Sequence, residues 1–527
     1  MTSVLFADTH AFSRLVLDYV SQNEKLRPFY QYDCTPEAVA EVIKDKQKEP
    51  INRILLADTI MQQYTHIDLL QSVREQIHAL QQENTCCVVT AHQLNIFTGP
   101  LYYIYKIAAT VATCLQLKEK YPDKHFVPVY WMGSEDHDFE EINHLHIFGK
   151  EIVWDDKQGG ATGNYSTHSM DSVLQEVQQI LGTAPHAETL MDIFKAAYQQ
   201  PTLAMAGRYL VDALFGQYGV VVVDGNDVAF KRQYAAVIRE ELLKQTSFAL
   251  VSEQISQLEA AGYKQQAAPR DINLFYLSER SRERIVLEGN QYKVLNTDRV
   301  FSQEEILAEL ETHPERFSPN VILRPLFQQM MLPSVMYIGG GGEVSYWLQL
   351  RTLFAHFGTA FPQLMVRNSF MLVKEQQLAR MEKLGLTIQD FFRDVEELKK
   401  AYIGQNADED IDVSGYKQEV EAVFTRLQEL AKSVDVTLGP VAGAEMQKAL
   451  QSVEMIQKRM MKALKQKNET ALNQIEKLKT QLFPQQSLQE RVENFAPYFA
   501  QSGQSFIDAI IADTDLYQRQ FIIKTIV

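Results

Sequence analysis

The sequence lacks the features that mark nucleic-acid-binding and membrane-spanning proteins. It contains 51 Lys and Arg against 67 Asp and Glu, which gives a formal net charge of -16 and a pI near 5.3. Binding to a phosphate backbone needs a basic stripe, and the chain has no such run. No apolar run approaches the roughly 20 residues that cross a bilayer, and the amino terminus lacks a signal-peptide pattern. We therefore expect neither a nucleic-acid nor a membrane partner.

Cysteine is also scarce. The four residues Cys34, Cys86, Cys87 and Cys114 form no CxxC pair and show no spacing typical of a zinc site or a disulfide framework. They are predicted to be reduced and mostly buried thiols. Together with the absence of a signal pattern, this favours a cytoplasmic protein.

Apolar residues, in contrast, are plentiful. At 527 residues and 46% hydrophobic composition, the chain exceeds the usual size of one domain and can form at least one large core. Two or three domains are expected. Apolar spacing through residues 1 to 84 predicts a helical layer that covers the core.

A strand, helix and strand pattern then predicts an α/β fold. Thr85 to Thr90 reads as a compact strand, residues 101 to 120 as a helix, and Phe126 to Met132 as a second strand. This order predicts a right-handed βαβ crossover and a parallel sheet. The segments 219–227 and 335–343 repeat the order of apolar strand followed by polar turn, with an all-apolar run typical of a sheet interior.

Two further segments resemble strands. Residues 273 to 295 alternate enough to predict a β-hairpin region, interpreted as an inserted subdomain. Residues 321 to 324 form another strand candidate, with Arg324 at its end.

From about residue 374 the pattern becomes helical and charged. A heptad seam is predicted at Tyr416, Val420, Val423, Leu427, Leu430 and Val434. The segment 438–440 interrupts it, and it resumes at Met446, Leu450, Val453, Met460 and Leu464. Such a break fits either a helical hairpin or a kinked long helix. We predict a core at 1–373, a coiled-coil arm that dimerises at 374–483, and a return to the core at 484–527.

The turn after the second predicted strand carries four ionisable residues: Glu135, Asp136, His137 and Asp138. Ligands of open α/β sheets bind beyond the carboxyl ends of the strands, so this turn is a candidate catalytic site. His137 could act as a general base if a carboxylate holds its tautomer, or could ligate a metal. A solvated loop is the competing interpretation. For the nearby His144 and His146, an ordinary surface strand is favoured over function.

A second candidate is the loop and helix at residues 92–106. A helix that begins near Pro100 presents unpaired N–H groups to an anion, with Thr98 as its cap and Lys106 within reach. The segment matches neither the P-loop pattern nor GxGxxG. A surface lysine is the ordinary alternative for Lys106.

A third candidate is the glycine-rich turn at residues 339–347. Its four consecutive glycines allow the backbone to approach a ligand closely, although a flexible loop is the alternative. The adjacent Glu343, Tyr346 and Trp347 favour a binding site, because aromatic faces can cover a base or a sugar. Arg324 could grip a carboxylate through its planar fork.

These segments resemble the motifs of the BshC family, the cysteine ligases of bacillithiol biosynthesis. The motifs read HQLNIFTGPLYYIYK at 92–106, WMGSEDHDFEEIN at 131–143, LRPLFQ at 323–328 and GGGEVSYW at 340–347. The resemblance extends over most of the chain, including the helical arm. Two positions depart from the family pattern: His92 stands where glutamine is expected, and Gly341 lies in a run made wholly of glycine.

The resemblance implies a Rossmann-like core with inserted subdomains and a coiled-coil arm that pairs two protomers. The implied reaction joins cysteine to glucosaminyl-malate through an amide bond. By motif, it implies catalytic roles for Glu135, Asp136, His137 and Asp138, and substrate contacts for Arg324 and His92. It implies a cofactor site made of Gln93, Thr98, Gly99, Lys106, Gly340, Gly341, Glu343, Tyr346 and Trp347.

An amide bond formed in water requires an activated acyl group, so ATP or another adenine nucleotide is the expected cofactor, and no metal is predicted. No HIGH-type or KMSKS-type motif is present, which leaves open whether ATP is cleaved to AMP or ADP. Two alternatives remain at this stage. One is a metal-dependent hydrolase or deacetylase of a sugar conjugate that uses residues 135–138. The other is a non-catalytic nucleotide-binding scaffold.

Overall fold

The computed structural model describes residues 2–406 and 412–526. The chain divides into two compact units. Among the described residues, the first contains 2–7, 11–371 and 487–524, and the second contains 8–10, 372–486 and 525–526.

The strands are short, and most belong to the first unit. They are β1 (Thr2–Leu5), β2 (Thr85–His92), β3 (His125–Met132), β4 (His144–Ile147), β5 (Lys150–Val153), β6 (Val221–Asp224), β7 (Leu274–Leu277), β8 (Arg282–Glu288), β9 (Gln291–Val294), β10 (Val300–Phe301), β11 (Phe317–Pro319), β12 (Ser334–Gly339), β13 (Gln363–Val366), β14 (Ser369–Lys374) and β15 (Gln520–Ile526).

Helices make up much of both units. Those of the first unit are α1 (Arg14–Val20), α2 (Val39–Lys46), α3 (Arg53–Gln63), α4 (Gln71–Ala79), α5 (Tyr102–Lys120), α6 (Phe139–Ile142), α7 (Asp171–Leu181), α8 (Ala187–Tyr198), α9 (Leu203–Phe215), α10 (Val228–Lys244), α11 (Thr246–Ala260), α12 (Gln303–Thr312), α13 (Arg324–Met331), α14 (Gly341–Trp347) and α15 (Arg351–His356). Those of the second unit are α16 (Glu375–Lys383), α17 (Val395–Asn406), α18 (Ser414–Val434), α19 (Leu438–Lys467) and α20 (Glu469–Leu482). The first unit ends with α21 (Ala496–Ser502) and α22 (Gln504–Ala512).

A five-stranded parallel sheet forms the centre of the first unit. Its spatial order is β13-β12-β2-β3-β6, and every neighbouring pair is parallel. If the five strands are numbered 1 to 5 along the chain and the sheet is read from β6 to β13, this is the 3-2-1-4-5 order of a Rossmann fold. The predicted α/β, Rossmann-like class is therefore confirmed. The direction of strand addition reverses between β2 and β12, so the switch point of the sheet lies there.

Continuous apolar runs explain why these strands occupy the interior. Seven of the eight residues of β2 are buried, and β3 is buried after its first residue. Strands covered on both faces read as unbroken apolar runs instead of alternating ones. The helix α5, which crosses from β2 to β3, is buried over most of its circumference because it packs against the sheet. The predicted βαβ unit is thus present.

A second sheet forms the inserted subdomain. Its order is β10-β9-β8-β7-β11, and all of its pairings are antiparallel. The predicted hairpin region at 273–295 corresponds to β7, β8 and β9. The predicted strand at 321–324 was wrong: residues 321–323 form a turn, and Arg324 begins α13. Pro325 suits this position because a first-turn proline lacks only an N–H that would be unpaired anyway.

The second unit contains a helical hairpin. Helices α18 and α19 pack against each other and are joined by a turn at 435–437, so the break in the heptads separates two helices. The predicted seam residues of α19 are half-buried, but those of α18 are exposed apart from Val420. The other half-buried residues of α18 are Lys417, Phe424, Gln428 and Ala431, which are offset from that seam.

Cys34, Cys86, Cys87 and Cys114 are all free and buried, as predicted. Within residues 2–406 and 412–526, no helix combines the length and apolarity that a membrane crossing requires.

Candidate active site

A cavity of about 1000 Å³ lies at the carboxyl edge of the parallel sheet. Each of the five strands delivers lining residues at or just beyond its end. These are Ala91 to Gln93 after β2, Glu135 to His137 after β3, Gly225 and Asn226 after β6, Gly340 to Glu343 after β12, and Arg367 after β13. The antiparallel sheet adds Phe275, Arg282, Arg284 and Pro319. Ligands of open α/β sheets bind in this crevice, so the cavity is the candidate site.

An ion pair stands at the switch point between β2 and β12. The Lys106 ammonium, on α5, donates to both carboxylate oxygens of Glu343, at 2.9 and 2.7 Å, and to the carbonyl oxygen of Ala91. Glu343 also accepts from the Tyr337 hydroxyl at 2.7 Å and the Gly340 N–H at 2.8 Å. Lys106 is buried, while Glu343 faces the cavity. The pair therefore fixes the glycine-rich turn against the end of β2.

Burial and charge set the ionisation of this cluster. Burial by itself raises the pKa of Glu343, but the Lys106 charge and the hydrogen bonds from Lys106 and the Gly340 N–H together outweigh burial and lower the pKa to about 2. Burial, reinforced by the Lys106 charge, lowers the pKa of His92 to about 3. His92 is therefore neutral at physiological pH, and its Nε2 atom is buried without a hydrogen-bond partner.

Glu135 is held in place at the opposite side of the switch point. One carboxylate oxygen lies 2.8 Å from the Nζ atom of the fully buried Lys231, and the other accepts from the Ser318 hydroxyl. Lys231 also donates to the Phe317 carbonyl oxygen at 2.8 Å. Because both oxygens of Glu135 are engaged, this residue links the parallel sheet to the inserted subdomain.

Asp136 accepts hydrogen bonds from several directions. The Gln93 side chain donates to it at 2.7 Å, and the His137 backbone N–H donates at 2.7 Å. A guanidinium nitrogen of Arg282 lies 3.7 Å from a carboxylate oxygen of Asp136. Burial raises the pKa of Asp136, but these hydrogen bonds and the Arg282 charge outweigh burial and hold the pKa below its usual range. Asp136 is therefore an ionised acceptor that faces the cavity.

His137 lies between Asp136 and Arg282. Its Nδ1 atom is 3.2 Å from a guanidinium nitrogen of Arg282 and 3.5 Å from a carboxylate oxygen of Asp136. A guanidinium only donates and a carboxylate only accepts, so these neighbours favour opposite tautomers of the ring. Only the tautomer with Nδ1–H directed at Asp136 leaves Nε2 able to take up a proton.

The cavity is lined by six arginines although the chain is acidic overall: Arg270, Arg282, Arg284, Arg324, Arg367 and Arg491. Arg367 forms a two-pronged ion pair with Glu490, at 2.8 and 2.9 Å. Arg324 instead bonds neutral partners, the Gln328 side chain at 2.9 Å and the Tyr346 hydroxyl at 3.0 Å. Within the described residues, Arg324 has no carboxylate at ion-pair distance.

The cavity brings together most, but not all, of the predicted residues. Those that line it are His92, Gln93, Glu135, Asp136, His137, Arg324, Gly340, Gly341, Glu343 and Tyr346. Lys106 lies behind Glu343, and Asp138 is exposed outside the lining. Trp347 is fully buried, where its ring stacks on Tyr337 with centroids 4.4 Å apart. The expectation that Trp347 covers a ligand was wrong, because its ring belongs to the core.

The predicted anion site at the start of α5 was also wrong. Asn494 donates to the carbonyl oxygens of Phe97 and Gly99, and the Leu101 N–H donates to the Glu493 carbonyl oxygen. Thr98 does not cap α5, because the helix is preceded by Leu101 and has no side-chain cap. The segment around Asn494 covers this end of the helix, so neither Thr98 nor Gly99 lines the cavity.

Other site residues were missed by sequence reasoning. Lys231, Arg282 and Arg367 reach the site from elements that carry no compact motif. Arg367 had a recoverable signal, because it directly follows the last parallel strand. Arg282 opens a strand of the antiparallel sheet and gave no such indication.

Comparison with known proteins agrees with this architecture. The family model for the N-terminal Rossmann-like domain of bacillithiol biosynthesis BshC matches residues 1–368, and the model for the C-terminal coiled-coil domain of BshC matches residues 370–526. The chain belongs to the BshC family.

Curated BshC relatives match over nearly their whole length. A protein of Flavobacterium johnsoniae is 39% identical, with 98% of each chain covered. One of Christiangramia forsetii is 38% identical over 99% of this chain and 98% of its own, and one of Bacillus mycoides is 28% identical over 94% and 95%. Each is named "Putative cysteine ligase BshC".

Proposed function

We propose that this BshC protein is a ligase of bacillithiol biosynthesis that joins the carboxyl group of cysteine to the amine of glucosaminyl-malate. The observation that carries the proposal is the arginine-lined cavity at the switch point, in a chain whose similar relatives are named cysteine ligases. Those relatives give no support to the hydrolase or scaffold alternatives.

The charge of the cavity suits an anionic substrate. Four of its arginines, Arg270, Arg284, Arg324 and Arg491, have no carboxylate at ion-pair distance among the described residues. Unpaired guanidinium groups around a cavity attract anions and grip carboxylates through two parallel hydrogen bonds. The malate part of glucosaminyl-malate carries two carboxylates, and we place them against this group, with Arg324 as the inner contact.

The proposed cofactor is ATP or another adenine nucleotide, which supplies activation of the cysteine carboxyl group. Two features of the crevice fit such a ligand. The site lies at the switch point of a Rossmann-ordered sheet, where nucleotides bind in this fold. Gly340, Gly341 and Gly342 line it without side chains that would obstruct a phosphate. Gln93 and Tyr346 line the same region.

The acidic turn, residues 135–138, is proposed to accept the proton of the attacking amine. With Nδ1–H directed at Asp136, the Nε2 atom of His137 accepts the proton as the new C–N bond forms. Asp136 stabilises the imidazolium that results, because it stays ionised. Glu135 is held by Lys231 and Ser318 and therefore acts through the position of the turn.

We also propose that the protein works as a homodimer through its arm. An apolar stripe on α18, made of Tyr416, Val423, Leu427, Leu430 and Val434, is exposed in the single chain. Exposed apolar stripes at heptad spacing are typical of helices that pair with a partner. The four unpaired thiols favour action in the reducing cytoplasm.

A reconstituted assay tests the ligase proposal. Purified protein is incubated with cysteine, glucosaminyl-malate and ATP, and both the sugar product and the nucleotide products are identified by mass spectrometry. We expect the amide of cysteine and glucosaminyl-malate, formed together with AMP and pyrophosphate or with ADP and phosphate. The matched control is the Asp136→Asn variant. No amide product, and no nucleotide cleavage that depends on both substrates, would reject the proposal.

A further inference from the structure

Three potential metal ligands converge on a small hairpin outside the cavity. Strands β4 and β5 pair in antiparallel fashion, with His146 directly opposite Glu151 and His144 opposite Val153. One ligand atom from each of His144, His146 and Glu151 lies within 4.8 Å of the others. Among the described residues, this is the group of three His, Cys, Asp or Glu side chains whose atoms lie close enough to hold a metal ion. None of the three lines the cavity.

The hairpin gives these side chains a common face. Side chains two apart on a strand project to the same side, so His144 and His146 share one face with the cross-strand Glu151. The opposite face carries Leu145, Ile147 and Ile152, which are almost fully buried. A register shift would expose these apolar residues, so packing on the core side fixes the ligand face.

Neighbouring groups prepare both imidazoles for coordination. The Nδ1 atom of His144 lies 3.2 Å from the Asn143 side-chain oxygen, which accepts its proton and leaves Nε2 free. The Nε2 atom of His146 lies 3.7 Å from a carboxylate oxygen of Glu151.

We propose that His144, His146 and Glu151 bind a divalent first-row transition-metal ion of the zinc class. Two imidazoles and one carboxylate form a ligand set that zinc uses when one coordination position stays open to water or another ligand. Ligand atoms around tetrahedral zinc are about 3.4 Å apart, as bond lengths near 2.1 Å require. The three ligand atoms lie within 4.8 Å of one another, and the exposed Glu151 side chain is able to rotate closer to the two imidazoles.

Metal binding is tested directly with zinc. An untagged chain is stripped with a chelator, and zinc affinity is measured by competition with a chromogenic chelator. We expect one equivalent bound by the wild type, at least 10-fold weaker binding in His146→Gln and Glu151→Gln, and loss of the site in the double variant His144→Gln, His146→Gln. Cobalt substitution should give the intense visible bands of a four-coordinate site. Asn143→Ala should weaken binding about 10-fold, because an orienting partner is removed.

His66→Ala is the matched control, because His66 is an exposed histidine remote in sequence from the hairpin. It should bind zinc as the wild type does. Thermal melting separates loss of the site from loss of the fold: zinc should raise the melting temperature of the wild type but not of the double variant. If the hairpin histidine variants fail to fold, the exposed Glu151→Gln decides the question. Equal zinc affinity in Glu151→Gln and the wild type, or no site in the wild type, would overturn the proposal.

Discussion

Lys106 and Glu343 form a buried ion pair that joins the first crossover helix to the turn after β12. Their closest N–O distance is 2.7 Å, and the Lys106 side chain is 2% exposed. Both residues come from motifs separated by more than two hundred positions. The pair explains how a glycine-rich turn with little side-chain packing of its own keeps a defined position at the edge of the cavity.

Replacing one partner of this ion pair should destabilise the protein more than replacing both. Lys106→Met leaves the Glu343 carboxylate without its counter-ion, and we expect the free energy of unfolding to fall by about 3–5 kcal/mol. The double variant Lys106→Met, Glu343→Leu removes both charges and should recover much of that loss. Urea denaturation of the two variants and the wild type measures both effects.

Lys120→Met is the control for this comparison. Lys120 pairs with Glu37 at the same 2.7 Å, but both side chains are exposed. Exposed ion pairs contribute little, so no measurable change in stability is expected there. A Lys106→Met protein as stable as the wild type would show that the buried pair does not hold the turn.

Arg324 should determine the affinity for glucosaminyl-malate. Arg324→Lys keeps the positive charge but loses the planar fork, and we expect the KM for this substrate to rise about 10- to 100-fold with a smaller change in kcat. Arg239→Lys, an exposed arginine paired with Glu311, is the control and should leave both parameters unchanged. If the KM for ATP rises instead, Arg324 contacts the nucleotide and our placement of the malate group is wrong.

The acidic turn should divide into catalytic and non-catalytic positions. His137→Gln and Asp136→Asn remove the proposed base and its partner, and we expect kcat to fall by about 10²–10⁴-fold with little change in KM. Asp138→Asn is the matched control, because its side chain lies outside the cavity although it belongs to the same motif. Full activity in His137→Gln would assign the proton transfer to another group. A comparable loss in Asp138→Asn would show that the reaction does not depend on the cavity side of this turn alone.

The strand ends of this fold were predictable from sequence, whereas contacts between distant elements were not. Buried runs such as Val221 to Val223 end at polar turns, and that pattern places the turns at the carboxyl edge of a parallel sheet. The partner of Glu135 is Lys231, on α10, and no local pattern links these two positions. The same limit applies to Arg282, which reaches His137 from another sheet.

Side-chain direction was the other source of error. Trp347 and Tyr346 are adjacent in one motif, yet only Tyr346 lines the cavity, because consecutive residues of a helix point in different directions. The residue at which the helix begins determines whether Tyr346 or Trp347 points toward the core. In the arm, the sequence correctly predicts an apolar stripe on α18. The hairpin of α18 and α19, however, packs mainly through residues of α18 that are offset from this stripe.

The exposed stripe of α18 should hold the dimer together. Leu430 is 64% exposed and Leu427 is 47% exposed in the single chain. Replacing both by Glu places charges at a proposed apolar interface, and light scattering should then detect monomers where the wild type forms dimers. Thr425→Glu, an exposed position of the same helix outside the stripe, is the control and should remain dimeric. A monomeric wild type, or a dimeric double variant, would contradict the proposed interface.

Asp212 should lower stability at neutral pH. It is 5% exposed on α9, and one of its carboxylate oxygens has no hydrogen-bond partner. Burial raises the pKa of Asp212 from 3.8 to about 6. The folded state therefore holds this proton more tightly than the unfolded chain does, and the unfolding free energy falls as the pH rises from about 4 to about 6. Above that window the penalty is constant, at about 3 kcal/mol.

The variant Asp212→Asn removes this penalty, so its effect must depend on pH. We expect its unfolding free energy to exceed that of the wild type by up to about 3 kcal/mol at pH 7.5, and the difference to shrink toward zero near pH 4. Urea denaturation at a series of pH values measures both curves. Asp58→Asn, at an exposed position of α3, provides the comparison and should follow the wild type throughout. A stability gain at pH 7.5 that persists unchanged near pH 4 would mean that relief of the buried charge is not its cause.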